Sequence, residues 1–166
     1  TIVAAGDVDG DNKKEIVTGA GTYCGHATTP SPVIKVFEWI DGGYNVSWTS
    51  ETLPHLAYLI YVCTGDLIGS PSEEIAMSTC YPGESTTMIG IYTKSTNSSY
   101  ICIYWEEYPD EDTTHIEIGD YDNDGQNELI VTSNKVKIYE VEEGLHITIT
   151  TDKTEYTTGD IMLANI

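Results

Sequence analysis

Two nine-residue stretches carry carboxylates at the same four places. Asp7, Asp9, Asp11 and Glu15 occupy positions 1, 3, 5 and 9 of the first, and Asp120, Asp122, Asp124 and Glu128 occupy those of the second. Position 7, Lys13 or Gln126, offers a backbone carbonyl. Hard oxygen donors at that spacing suit Ca²⁺, which takes about six to eight of them at roughly 2.3–2.6 Å. Without a cation, four carboxylates in so short a turn repel one another. An EF-hand is the first rival, but it needs flanking helices and a bidentate glutamate at position 12. The twelfth positions here are Thr18 and Val131, and both flanks are strand-like. A single acidic turn needs no metal; two turns with identical carboxylate spacing point to one. A worn copy, Asp66 to Glu74, has Ile68 and Ser70 at positions 3 and 5 and is expected not to hold calcium tightly.

These loops must be positioned by strands. Asp7 to Asp66 is 59 residues and Asp66 to Asp120 is 54, so the loops mark a repeat. Each unit reads as four short strands, the acidic loop joining the first two. In the first unit they are Ile2–Ala5, Glu15–Ala20, Val33–Trp39 and Tyr44–Ser50, with Asp41-Gly42-Gly43 as a hairpin turn. The second reads Tyr58–Thr64, Glu74–Cys80, Met88–Thr93 and Tyr100–Trp105, and the third Thr114–Gly119, Glu128–Thr132, Lys135–Val141 and Leu145–Thr150. Alternation of apolar and polar residues is plain in 33–39 and 135–140, and no stretch has helical periodicity. Gly10, Asn12, Asn123 and Gly125 are placed where a left-handed backbone is expected. The fold class is therefore all-β: three four-stranded units, about 1–56, 57–111 and 112–150, of the kind that form propeller blades.

The segments Gly6-Asp7-Val8-Asp9-Gly10-Asp11…Glu15-Ile16-Val17 and Gly119-Asp120-Tyr121-Asp122-Asn123-Asp124-Gly125…Glu128-Leu129-Ile130-Val131 resemble FG-GAP/VCBS repeats. Those repeats build integrin-alpha-type calcium-binding β-propellers, and the resemblance covers residues 1 to about 143. It implies two structural Ca²⁺ sites. The first would use Asp7, Asp9, Asp11, Glu15 and the Lys13 carbonyl; the second would use Asp120, Asp122, Asp124, Glu128 and the Gln126 carbonyl. Family loops often end in Asp where this chain has Glu.

Propellers close with roughly four to eight blades, so three units leave an incomplete propeller. The missing surfaces are expected to come from a longer chain, from a closed homo-oligomer or from a filament of copies. The tail, 151–166, reads as an extended strand. Its Tyr156-Thr157-Thr158-Gly159-Asp160 run resembles the start of an Ig-like segment, and it suits donation to a neighbour.

The formal net charge is −20, with seven lysines and no arginine. That excludes the positive footprint nucleic acid requires. Four cysteines, Cys24, Cys63, Cys80 and Cys102, form no C-x-x-C pair and read as two disulfides of an exported protein. Three connectivities are open, among them Cys24 with Cys80 and Cys63 with Cys80. Asn45 and Asn97 begin glycosylation sequons, and no apolar run is long enough to span a membrane.

Catalytic signatures are lacking. His26, His55, His115 and His146 are scattered, and no nucleophile elbow occurs. The acidic run Glu106, Glu107, Asp110, Glu111 and Asp112 reads as a solvated linker. The expectation is a non-catalytic, extracellular, calcium-stabilised structural or adhesive protein that self-assembles. A carbohydrate-binding propeller using Trp48 or Trp105 is the alternative, and part of a polysaccharide lyase or hydrolase a weaker one, since no arginine is present to neutralise a uronate.

Overall fold

The computed structural model describes residues 2–20, 33–51, 53, 59–80, 86–95, 99–109, 115–133, 136–142 and 146–149. Among them there is no helix, and the strands form three antiparallel sheets, none closed on itself. The first contains β1 (Ile2–Gly6), β2 (Glu15–Ala20), β3 (Val33–Ile40) and β4 (Gly43–Thr49), in that order. The second runs β5 (Leu59–Gly65), β6 (Glu74–Cys80), β7 (Thr86–Lys94), β8 (Tyr100–Pro109). The third runs β9 (His115–Gly119), β10 (Glu128–Thr132), β11 (Val136–Glu142), β12 (His146–Ile149). Every neighbouring pair is consecutive in sequence and antiparallel.

The sheets stack face to face because their strands are apolar on both sides. Val8, Val17, Ile34 and Val36 of the first pack against Ile60, Val62, Ile75 and Met77 of the second. Cys63, Ala76, Ile89 and Ile91 on the other side of the second pack against Ile116, Leu129, Val131 and Tyr139 of the third. First strands are close to one another: β5 touches β1 and β2, and β9 touches β5 and β6. Close approach explains Gly19, whose Cβ would lie 2.5 Å from the Ile60 carbonyl oxygen. The first two sheets also share an irregularity. The β3–β4 register shifts between Val36 and Phe37, and the β7–β8 register between Ile91 and Tyr92. Val36 and Ile91 pair with Val17 and Ala76, the eleventh residues counted from their respective loop aspartates.

Two expectations are corrected. Glu106 and Glu107 belong to β8, paired with Ile89 and Met88, not to a linker. The Glu106 carboxylate accepts hydrogen bonds from the hydroxyls of Tyr104 and Tyr108, its neighbours two residues away on the same face. Tyr139 of the third sheet donates to the Tyr108 hydroxyl (2.8 Å), so this carboxylate helps tie two sheets together. The second correction concerns the cysteines. Cys63 is a free, buried thiol and Cys102 a free, exposed one. Cys63 lies opposite Ala76, while Cys80 lies opposite Leu59, so no bridge crosses that hairpin. Cys63 and Cys102 stand on β5 and β8, the opposite edges of one sheet. Burial pushes the Cys63 thiol well above its ordinary range, as expected of a core residue. Cys24, Asn97, His26, His55, Asp110, Glu111, Asp112 and the 151–166 tail lie outside the described residues, as do the side chains of Cys80 and His146.

Candidate metal centres

The three acidic loops are the β1–β2, β5–β6 and β9–β10 connections. One hydrogen bond recurs in all of them. The glutamate at position 9 accepts from the backbone N–H at position 2: Glu15 from Val8 (3.1 Å), Glu74 from Leu67 (2.9 Å) and Glu128 from Tyr121 (3.0 Å). Each of these glutamates is buried, with 3%, 0% and 2% exposure. The aspartate at position 1 closes the turn from inside. Asp7 accepts from Gly10 and Asn12, Asp66 from Gly69, and Asp120 from Gly125.

The expected left-handed residues are where the sequence places them. Gly10 and Asn12 have φ of 79° and 66°, and Asn123 and Gly125 have 64° and 95°. These are positions 4 and 6 in both loops. The second loop keeps Gly69 at position 4 (φ 68°) but has Pro71 at position 6, which cannot adopt that conformation.

In the first loop, carboxylate oxygens of Asp7, Asp9 and Glu15 all lie within 4.8 Å of one another; in the third, those of Asp120, Asp122 and Glu128 do. Asp11 and Asp124 stand outside these clusters. Asp11 accepts from the Lys13 ammonium (2.6 Å) and the Lys13 N–H (2.8 Å), and the ammonium contact holds its carboxyl below the usual range. Asp124 accepts from the Gln126 N–H (2.8 Å) and side-chain amide (3.2 Å).

Crowding leaves an electrostatic signature. Burial, then Asp9, Asp11 and Asp7, push Glu15 up to about 7. Glu128 shifts upward for the same reasons, burial first, with the Tyr121 N–H opposing and Asp122, Asp124 and Asp120 adding. A divalent cation would remove that repulsion.

The second loop solves the same problem without charge. The Oε1 of Glu74 accepts from the Ser70 hydroxyl and from the Thr93 hydroxyl on β7, both at 3.0 Å, while Ile68 adds its N–H to Oε2 at 3.3 Å. Ser70 thus puts a donor where the other loops have their position-5 aspartates. Sequence reasoning noticed the lost carboxylates but not Thr93, whose only signal is its place on a neighbouring strand.

It also missed a contact made by the second sheet. The Lys94 ammonium reaches within 3.9 Å of Asp9 and lies over the Tyr100 ring, 4.8 Å from its centre. Trp48 and Trp105 border one cleft of about 600 Å³ with Tyr92 and Tyr100. Trp48 packs on Tyr100 at 4.9 Å between ring centres, so these aromatics also join the two sheets. Asn45 is exposed at the β3–β4 hairpin, with its Nδ2 donating to the carbonyls of Ile40 and Gly43.

No protein-family model matches the chain, and no curated protein matches it. Among the described residues no helix is long and apolar enough to cross a membrane.

Proposed function

We propose that this chain is a calcium-stabilised, propeller-type module of an extracellular structural or adhesive assembly, without catalytic activity. The observation that carries the reading is the contrast among the loops. The first and third gather two aspartates around a buried glutamate, and among the described residues only Lys13 and Lys94, both at the first, bring a cation to the acidic residues; the second replaces the neighbouring carboxylates with hydroxyls. Such a contrast is what two metal sites and one metal-free relative require. The resemblance to FG-GAP/VCBS repeats supports calcium as the ion and blades as the role of the three stacked sheets. In this reading the ions fix the turns between first and second strands and make folding depend on external calcium.

Calorimetric titration tests it. Two Ca²⁺ bind per chain, and Asp9→Ala or Asp122→Ala each leaves one. Loss of neither site in these variants, or no binding at all, rejects the assignment.

A second reading, glycan binding, is favoured by the convergence of Trp48 and Trp105 on one cleft, since aromatic faces suit sugar rings. If it holds, Trp105→Ala abolishes binding to a glycan array while the melting transition survives. An unchanged array profile removes that reading.

A further inference from the structure

We propose that the outer faces of the first and third sheets, at their β1 and β9 strands, are the two halves of a single interface, through which one copy of this chain docks its first sheet on the third sheet of another. The inference rests on the self-assembling module proposed above and names its contact surface.

Three sets of equivalent residues carry it. The first is the glycine just before each loop aspartate. A Cβ on Gly6 would come within 2.5 Å of the Thr64 hydroxyl, and one on Gly65 within 2.5 Å of Ile118 Cγ2, whereas a Cβ on Gly119 would meet nothing within 4 Å. Thr64 and Ile118 each stand two residues before their own loop aspartate, and the residue so placed in the first sheet is Ala5, which is exposed. Among the described residues, Gly119 thus keeps a backbone open to close approach where no partner stands, and Ala5 is the matching residue with nothing to approach.

The second set lies four residues before each aspartate. Val62 and Ile116 face the preceding sheet and are 5% and 2% exposed, while Val3 at the same place is 62% exposed. A β-branched apolar residue in that position is a core residue twice over and a surface residue once.

The third set links the loops. The Asp7 carbonyl accepts from the Glu73 N–H at 2.8 Å, and the Asp66 carbonyl from the Asn127 side-chain amide at 2.9 Å. In both, position 1 of one loop accepts from position 8 of the next. The series continues with the Asp120 carbonyl at one end and Lys14 at the other, both exposed.

Charge agrees with this pairing. Lys35 lies opposite Thr18 on the same outward face as Ala5, and Lys14 borders it. The third sheet presents Glu117, with 61% of its side chain exposed, and the exposed Glu140 on the same face. In a chain of charge −20, lysines gathered on one open face and carboxylates on the other favour head-to-tail contact over like-to-like contact. Because the two halves differ, the contact repeats, and it ends in a ring or a filament.

The test uses the full chain in calcium, by sedimentation over a wide concentration range. Gly119→Trp and Ala5→Trp each place an indole in open space, so each variant melts with the wild type while blocking one half of the interface. The wild type forms species beyond a dimer. Each variant alone associates at least about tenfold more weakly. Their equimolar mixture gives a dimer and nothing larger, since each brings one intact half. A wild type that stays monomeric, or a mixture that does, overturns the proposal. So does association that both variants leave unchanged; assembly would then run through another surface and the module reading would survive. Monomers that still bind two Ca²⁺ would separate failure of the interface from failure of the metal assignment.

Discussion

Restoring calcium to chelated protein at pH above 7 raises the melting temperature by roughly 10–20 °C. The size follows from linkage. A site at a hundredfold excess of ligand over its Kd adds about 2.7 kcal/mol, and in a domain of this size each kcal/mol shifts melting by about 2–4 °C. Two such sites reach the stated range. Magnesium gives a smaller rise, because it surrenders its waters reluctantly and demands octahedral geometry. Differential scanning calorimetry checks the increment directly, and a melting temperature indifferent to chelation would remove calcium from the fold's energetics.

The same increment depends on pH with a definite sign. In the metal-free chain Glu15 titrates at about 7, above its ordinary value of 4.5. Between those values the folded state holds more protons than the unfolded state, so metal-free stability falls as pH rises through the interval. Glu128 shifts in the same direction. Calcium needs the ionised carboxylates, so protons compete with it. The calcium-loaded and chelated melting curves therefore converge near pH 5 and separate towards pH 7.5. An increment independent of pH would mean that these glutamates do not titrate against the ion.

Much of this was legible in the sequence, and the reasons differ by element. All twelve strands follow from β-branched runs and alternation, because the apolar residues that fill the two inter-sheet layers must recur with period two. The loop conformations were legible because Gly and Asn are nearly alone in tolerating positive φ. The far end of β8 was not, since Glu106 and Glu107 read as solvated charge; only the flanking Tyr104 and Tyr108 hydroxyls make that glutamate tolerable in a strand. Cysteine pairing was illegible because it depends on register, which puts Cys63 opposite Ala76. The glutamates at position 9 stand where family loops often have Asp. Their shared bond to the N–H at position 2 makes them the structural pin of every loop, a role that spacing alone does not reveal.

That pin gives the other large effect. Glu74→Ala destabilises the chain by about 4 kcal/mol, because it strands the N–H groups of Leu67 and Ile68 and leaves a cavity against β7. Glu74→Gln, by contrast, stays within about 1 kcal/mol of wild type. The amide oxygen can accept from the two N–H groups as Oε2 does, and the amide nitrogen can donate to the Ser70 and Thr93 oxygens once those hydroxyls rotate. Burial pushes the Glu74 pKa upward, with its hydrogen bonds opposing, so a neutral side chain suits the site. Urea denaturation of the three proteins in chelator and in calcium reads the difference. Equal damage from Gln and Ala would mean that the second loop needs a negative charge, and a calcium-dependent component to that damage would place a cation there as well. Tolerance of Gln, with the calcium increment intact, leaves hydroxyls as sufficient partners for a buried carboxyl where the neighbouring loops gather aspartates around theirs.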